Sequence, residues 1–202
     1  AKPGAAVSPA MAKRNIDPRQ ASPTLRPVPF KRLTLCGLLL LAVSARGESL
    51  VPNYSNWKYL EGKTEASDPP TAWRELAFDD AHWKEGRSGF SIGYGRYDAP
   101  TQLWGMPRVY PSLFLRKKFT LKDTDWIRSL VMRVDYDDGF VAYLNGTEVA
   151  RDNMTAGVFS YTTLAYSTIS GLEEDLYYPH PVDAALLVPG ANVLAVEVHQ
   201  RS

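Results

Sequence analysis

Residues 134–151, VDYDDGFVAYLNGTEVAR, contain the pattern that decides the fold class of this chain. Apolar and polar residues alternate on both sides of the dipeptide Asn145-Gly146. Because Asn and Gly tolerate the positive φ angles of a two-residue turn, the pattern predicts a hairpin whose tip lies at Asn145 and Gly146. A hairpin of this kind is typical of an all-β domain, and it supplies no catalytic group by itself.

The rest of the sequence after Gly47 also predicts short strands separated by turns. Alternation gives two of these strands one apolar face each, formed by Leu130, Met132 and Val134 in the first and by Leu194, Val196 and Val198 in the second. No helical pattern of about ten residues or more is present. Short strands at this spacing predict a β-sandwich or a jelly roll over residues 48–202.

The N-terminal part of the chain has a different composition. Up to Gly47 the sequence has eight Lys or Arg residues and one Asp, whereas the remainder has fifteen Lys or Arg and twenty-one Asp or Glu. Lys31-Arg32, the apolar run after them and the small residues around Arg46 form the pattern of an export signal. We therefore expect a disordered basic leader at residues 1–30 and a helical, cleaved signal peptide at residues 31–47 that does not join the core.

These features restrict the location and the partners of the protein. A secreted, periplasmic or cell-surface protein is expected, with membrane contact only through an uncleaved signal segment, because the apolar run is shorter than the roughly 20 residues of a membrane span. The single cysteine, Cys36, lies in that run, so the mature part can form no disulfide. The acidic body argues against nucleic acid as a partner. Its only basic run, residues 116–118, is predicted on a solvated or edge face.

No catalytic residues are apparent in the sequence. Gly89, Ser91 and Gly93 match the G-x-S-x-G pattern, but neither an apolar strand before it nor a helix after it is predicted. The acidic clusters are not paired across any recognisable cleft, and the three histidines have no metal-binding spacing.

Two features could nevertheless contact a ligand. Asp135, Asp137 and Asp138 could hold a structural calcium ion, although a turn whose Asp side chains accept local N–H groups is the alternative. No other cofactor is expected. Trp104 lies in a predicted irregular loop where an exposed indole could contact carbohydrate or a partner. By contrast, Trp57, Trp73 and Trp83 are expected in the core.

Several motifs together resemble a known family. They are Trp73, Phe78-Asp-Asp-Ala-His-Trp83, Gly93-Tyr-Gly95, Phe114-Leu-Arg116, Asp137-Asp-Gly139, Tyr143-Leu-Asn-Gly146, Arg151-Asp-Asn153 and Asn192-Val-Leu-Ala-Val-Glu-Val-His-Gln200. This set resembles the galactose-binding-like jelly-roll accessory modules of large secreted bacterial proteins, which are similar to the sugar-binding domain of large β-galactosidases. The resemblance implies a jelly-roll fold and a non-catalytic role. Its motifs include Asp137, Asp138, Arg151 and Asn153, and these four residues together with the loop residue Trp104 are the candidate ligand-binding residues.

The resemblance leaves three functions open. The first is an accessory module that binds carbohydrate or positions a downstream domain of the same polypeptide. The second is the N-terminal fragment of a secreted glycoside hydrolase or phosphoesterase whose catalytic domain lies elsewhere, and the third is a structural spacer. Modules of this family normally continue beyond the strand at residues 193–199. We therefore expect a sandwich truncated at its C-terminal end, in which that strand has an open edge or an incompletely covered face.

Overall fold

The computed structural model describes residues 34–35, 37–43, 47–92, 99–169 and 176–201, and this part of the chain is almost entirely β-structure. Its strands are β1 (Thr34–Leu35), β2 (Gly37–Val43), β3 (Ser49–Val51), β4 (Asn56–Glu61), β5 (Lys84–Arg87), β6 (Phe90–Ser91), β7 (Thr101–Gln102), β8 (Ser112–Leu121), β9 (Ser129–Asp135), β10 (Gly139–Leu144), β11 (Thr147–Asp152), β12 (Tyr178–Val182) and β13 (Gly190–His199). The predicted all-β class is confirmed.

Helical structure in the described residues is limited to three short elements. They are the α-helix α1 (Met106–Val109) and two 3₁₀ turns at Ala72–Arg74 and Ala184–Leu186. None of the described helices has the length and apolar character needed to cross a membrane.

The strands form a sandwich of two main sheets. A six-stranded sheet has the order β11-β10-β13-β8-β4-β5, and a four-stranded sheet has the order β12-β9-β2-β3. A small third sheet contains β1, β6 and β7. From β8 to β10 and again from β11 to β13, the chain leaves the six-stranded sheet, adds one strand to the four-stranded sheet and returns. This alternation between sheets is typical of a jelly roll.

Alternation along the strands separates two apolar clusters. The sandwich interior contains one face of the six-stranded sheet, with Leu113, Leu115, Phe140, Ala142, Leu144, Leu194, Val196 and Val198. The opposing sheet contributes Leu130, Met132 and Val134 to the same cluster, so the two predicted apolar faces are confirmed.

The outer face of the six-stranded sheet is also buried. We call residues 62–83 the first cover segment and residues 153–169 the second cover segment, because both pack on this face. The cluster beneath them comprises Ala66, Trp73, Trp83, Phe114, Val141, Tyr143, Phe159 and Ala195. Trp73 meets Phe114 edge-on at 5.1 Å and Tyr143 at 5.9 Å between ring centroids. The outer face is therefore shielded from water where the cover segments lie, and polar groups beneath them need partners within the protein.

The predicted hairpin is present. β10 and β11 are antiparallel and are joined by Asn145 and Gly146, whose φ angles are 50° and 85°. Asn145 also anchors the tip: its backbone N–H donates to the carbonyl of Val193 at 2.9 Å, and its Oδ1 accepts from the N–H of Val193 at 2.8 Å. The turn is therefore fixed to β13 as well as to its own strands.

The apolar run of the leader forms a strand, so the predicted signal-peptide helix is wrong for residues 37–43. β2 is antiparallel to β9 over its whole length and pairs with β3 on its other side. The prediction that residues up to Gly47 stay outside the sandwich is therefore also wrong for this run. A short apolar run has no periodicity that separates a buried strand from a helix, so pairing with distant strands decides the outcome. Cleavage and export stay predictions, and residues 1–30 lie outside the described part.

The strand at residues 193–199 does not have the predicted open edge. It belongs to β13, which is paired with β10 on one side and with β8 on the other. Local alternation correctly predicted the apolar face of this strand. The order of strands in a sheet, in contrast, depends on pairing between distant segments, which alternation does not reveal.

Candidate functional site

Two of the predicted ligand-binding residues, Asp138 and Asn153, join separate loops. Asp138 is 4% exposed, and its carboxylate accepts the backbone N–H of Ile169 at 2.9 Å and that of Arg201 at 2.7 Å. Asn153, which has a φ of 51°, donates from Nδ2 to the carbonyls of Asp138 at 2.8 Å and Ser167 at 2.6 Å. These polar atoms attach the second cover segment to the start of β10 and the end of β13.

Asp137 and Arg151 make comparable internal contacts. Asp137 is 2% exposed, and its carbonyl accepts from Nε2 of Gln200 at 2.5 Å. Arg151 pairs with Glu148 through two contacts, Nε to Oε1 at 2.9 Å and Nη2 to Oε2 at 2.7 Å. Nη1 of Arg151 also donates to the carbonyl of Thr155 in the second cover segment. The structure therefore assembles four of the five predicted residues around this segment, where their contacts hold the fold together.

The calcium hypothesis for Asp135, Asp137 and Asp138 gains no support from the structure. Among the described residues, no group of three or more His, Cys, Asp or Glu side chains is arranged to hold a metal ion. Both carboxylate oxygens of Asp138 accept N–H groups, as the alternative interpretation proposed. These partners are not local, however, because Ile169 and Arg201 lie 31 and 63 residues further along the chain.

Trp104 is the predicted ligand-binding residue that the structure places apart. Its side chain is 62% exposed between β7 and α1, whereas Trp57, Trp73 and Trp83 are 1–3% exposed. The core positions predicted for those three residues are therefore confirmed. In the described part of the chain, no hydrogen bond, ion pair or ring contact links Trp104 to Asp137, Asp138, Arg151 or Asn153.

Ser91 does not have the geometry of a nucleophile. It lies in β6, is 0% exposed, and its Oγ donates to the carbonyl of Ile92 at 3.4 Å. A nucleophile elbow requires a serine hydroxyl that is lifted out of the sheet and open to substrate. Gly93, the last residue of the pattern, lies outside the described residues.

A buried polar network, which the sequence analysis did not anticipate, lies under the cover segments. Glu197 is 0% exposed, and its Oε1 accepts from the hydroxyl of Tyr143 at 2.5 Å and from Nη2 of Arg74 at 3.3 Å. Its Oε2 lies 3.2 Å from Nε2 of His199, whose Nδ1 lies 2.8 Å from the carbonyl of Thr163. Because a carbonyl oxygen only accepts, Nδ1 of His199 must carry a proton.

This network joins β10 and β13 to both cover segments. Burial raises the pKa of Tyr143, and the negative charge of Glu197 raises it further, so the phenol stays a neutral donor. Sequence patterns could not identify the network, because polar residues that alternate with apolar ones ordinarily face water. The sequence signal that could have indicated the network is the high aromatic content around Trp73 and Trp83. Such a segment has to bury its aromatic side chains against a sheet face, and polar residues on that face are then buried too.

A second buried ion pair holds the first cover segment against β8. The side chain of Arg116 is 0% exposed, and its Nε donates to Oδ2 of Asp80 at 2.8 Å. The guanidinium also donates to three carbonyls of the segment, those of Trp73, Glu75 and Phe78. The predicted solvated or edge position of the basic run is therefore wrong for Arg116, because β8 lies between β13 and β4.

Asp80 remains a carboxylate in this pair. Burial alone would raise its pKa, but the hydrogen bonds and charges of Arg116 and Lys118 outweigh burial and hold the pKa below its usual value. The carboxylates of both networks are thus paired with basic groups inside the β-sandwich.

No protein-family model matches the sequence, and no curated protein matches it. Among solved structures, a β-glucuronidase from an uncultured Clostridium sp. is 18% identical, with a TM-score of 0.46, over 84% of this chain and 24% of that chain. A calcium-binding mutant of Bacteroides uniformis β-glucuronidase 2 is 20% identical, with a TM-score of 0.44, over 74% of this chain and 14% of that one. The Bifidobacterium dentium β-glucuronidase complexed with coumarin-3-O-glucuronide is 13% identical, with a TM-score of 0.43, over 81% of this chain and 20% of that chain. This chain therefore spans at most 24% of the length of these three proteins.

Proposed function

We propose that this chain is a non-catalytic accessory module of an exported protein and that it binds carbohydrate. The observation that carries the proposal is the side chain of Trp104, which is 62% exposed in the segment between β7 and α1. An indole offers a flat apolar face that packs against the C–H groups of a sugar ring, and its N–H can donate to a hydroxyl. Val109, the last residue of α1, is also apolar and is 65% exposed.

The non-catalytic part of the proposal is supported by three acidic and histidine side chains of the networks described above. General acid–base catalysis requires titratable groups within reach of a substrate. Glu197, His199 and Asp138 are instead 0–4% exposed and are hydrogen-bonded within the fold. If a larger polypeptide that carries this module is an enzyme, its catalytic groups belong to another domain.

Glycan-array binding and affinity electrophoresis of the purified chain test the proposal. We expect retention by at least one polysaccharide and loss of that retention in Trp104→Ala. Tyr166→Ala is the matched control, because Tyr166 is 75% exposed and lies in the second cover segment. Equal retention of Trp104→Ala and the unmodified chain, or no retention by any polysaccharide, would contradict the proposal.

The export part requires a separate measurement. Expression in a bacterial host, followed by mass spectrometry of the extracellular and periplasmic fractions, gives the location and the first residue of the mature protein. Cleavage near Gly47 would support export, whereas an intact chain found only in the cytoplasm would contradict it.

A further inference from the structure

A groove on the six-stranded sheet is lined by the start of β4, by β5, by the middle of β8 and by Asp80. Its volume is about 310 Å³, at the lower end of the range of small-molecule sites, about 300–1,000 Å³. Four cationic side chains and two carboxylates are among its lining residues, so the lining has an excess of positive charge. Trp104 is not among them, so the groove is distinct from the surface of the proposed function.

The two carboxylates are already neutralised by cations of the groove. Asp80 accepts from Arg116 at 2.8 Å and from Lys118 at 3.2 Å. Glu85 pairs with Lys58 at 2.9 Å between Oε1 and Nζ. These contacts pair three of the four cations with the two carboxylates, so the lining keeps two excess positive charges, and Lys117 is the cation without a carboxylate partner among the described residues.

Lys117 has no carboxylate partner among the described residues. Its Nζ donates to the backbone carbonyl of Asn56 at 2.8 Å, whereas an ammonium group has three N–H donors. The side chain is half-buried, and burial lowers its pKa. An anion in the groove would satisfy the remaining donors and would offset the cost of taking this charge partly out of water.

We propose that the groove binds the carboxylate or sulfate group of an acidic saccharide and that Lys117 contacts the anionic oxygens. The charge of the groove favours the anion, while the saccharide part of the inference rests on the proposed function. Asn56 is exposed at the rim, where its side-chain amide can donate to and accept from sugar hydroxyls. The volume of the groove also exceeds what a bare anion needs.

NMR titration of the full chain with D-galacturonate and D-galactose tests the inference, because the two sugars differ in the carboxylate at C6. We expect saturable shifts of the amides of Asn56, Lys58 and Lys117 with galacturonate and much weaker shifts with galactose. Lys117→Met, which keeps the length of the side chain but removes its charge, should weaken binding roughly tenfold or more, as expected for loss of a charge-assisted hydrogen bond. Lys122→Met is the control, because Lys122 is exposed and lies outside the groove.

Two further titrations separate the possible sources of failure. D-galactose 6-sulfate should shift the same amides, whereas inorganic sulfate that binds as tightly as either acidic sugar would overturn the saccharide part. Equal affinity of Lys117→Met and the unmodified chain would overturn the assignment of Lys117. If neutral polysaccharide binds in a Trp104-dependent manner while galacturonate leaves the groove unshifted, this inference fails and the proposed function stands. If no sugar binds anywhere, both fail.

Discussion

The hydroxyl of Tyr143 donates to Oε1 of Glu197 at 2.5 Å, in a place where neither residue is more than 2% exposed. The same carboxylate accepts from Arg74 and lies beside Nε2 of His199. A buried carboxylate is costly unless its lone pairs are hydrogen-bonded, so the donors Tyr143 and Arg74 stabilise a charge that β13 would otherwise bury without compensation. Because Arg74 belongs to the first cover segment, the network also fixes that segment to the sheet.

Tyr143→Phe should therefore destabilise the protein, although the aromatic ring and its contact with Trp73 are retained. Loss of the hydroxyl leaves Glu197 with one fewer donor, which costs about 1–3 kcal/mol of unfolding free energy. Urea unfolding of the variant measures this loss. Tyr166→Phe is the control and should leave stability unchanged, because Tyr166 is 75% exposed. An unfolding midpoint of Tyr143→Phe equal to that of the unmodified chain would show that the hydrogen bond does not stabilise the fold.

The Asp80–Arg116 pair gives a prediction about pH. The pKa of Asp80 is lower in the folded chain than its reference value of 3.8, so the pair stabilises the fold above the pKa of the unfolded state and loses this effect as the pH falls through the folded-state pKa. Asp80→Asn should cost about 3 kcal/mol near neutral pH, because it leaves the buried charge of Arg116 unpaired. Below about pH 4 the difference in unfolding free energy between Asp80→Asn and the unmodified chain should shrink.

Chemical denaturation at neutral and acidic pH tests this expectation. Asp79→Asn is the matched control: Asp79 is exposed, and its carboxylate caps only the N–H of Ala81, at 2.9 Å. A pH-independent difference between Asp80→Asn and the unmodified chain would rule out the pair as the source of the effect.

Gly139 is expected to tolerate no side chain. A Cβ at this position would lie 2.9 Å from both the carbonyl oxygen of Asn153 and Sδ of Met154. Gly139→Ala should therefore push the second cover segment away from β10 and destabilise the protein by about 1–3 kcal/mol. Gly105→Ala is the control, because its Cβ would meet only a ring atom of Tyr110 at 3.4 Å. Thermal unfolding of both variants gives the comparison, and equal stability would mean that the segment does not pack as described.

Substitution of Leu40 by proline tests whether the leader strand belongs to the folded protein. Leu40 pairs with Met132 of β9 and with Val51 of β3, and proline removes the backbone N–H from this ladder. Leu40→Pro should cost about 1–3 kcal/mol and should increase hydrogen exchange along β9. Leu40→Val, which keeps the N–H and an apolar side chain, should have little effect. Unchanged exchange along β9 in the proline variant would show that β2 is not paired in solution.

Local signals predicted much of the fold. The Asn145-Gly146 dipeptide defines its own turn, because the φ angles that the turn requires favour these residue types. The alternation at residues 130–134 and 194–198 predicted faces that do line the sandwich interior. In each case, the determining interaction lies within a few residues along the chain.

Long-range relationships were not predictable in this way. β13 is paired on both sides with strands more than 45 residues away in sequence, and β2 occupies a place in a sheet instead of forming a helix. At the candidate site, the polar side chains of Asp138 and Asn153 suggested contact with a ligand. In the structure they are hydrogen-bonded instead to the backbone of Ile169 and Ser167, which gives them a structural role. The Glu197 network escaped prediction because its partners come from four separate parts of the chain.

The position of β2 means that folding would compete with export for the same segment of the chain. Residues 37–43 have the sequence pattern of an export signal and also form an inner strand, hydrogen-bonded to β9 and to β3. If this run is an export signal, the machinery that recognises it must bind the chain before β2 pairs, because a strand inserted between two others cannot be presented. In a chain that folds first, the export signal is buried in the sheet and cannot be recognised. One that is exported and cleaved first must complete its four-stranded sheet by joining β9 directly to β3 or by accepting a strand from elsewhere.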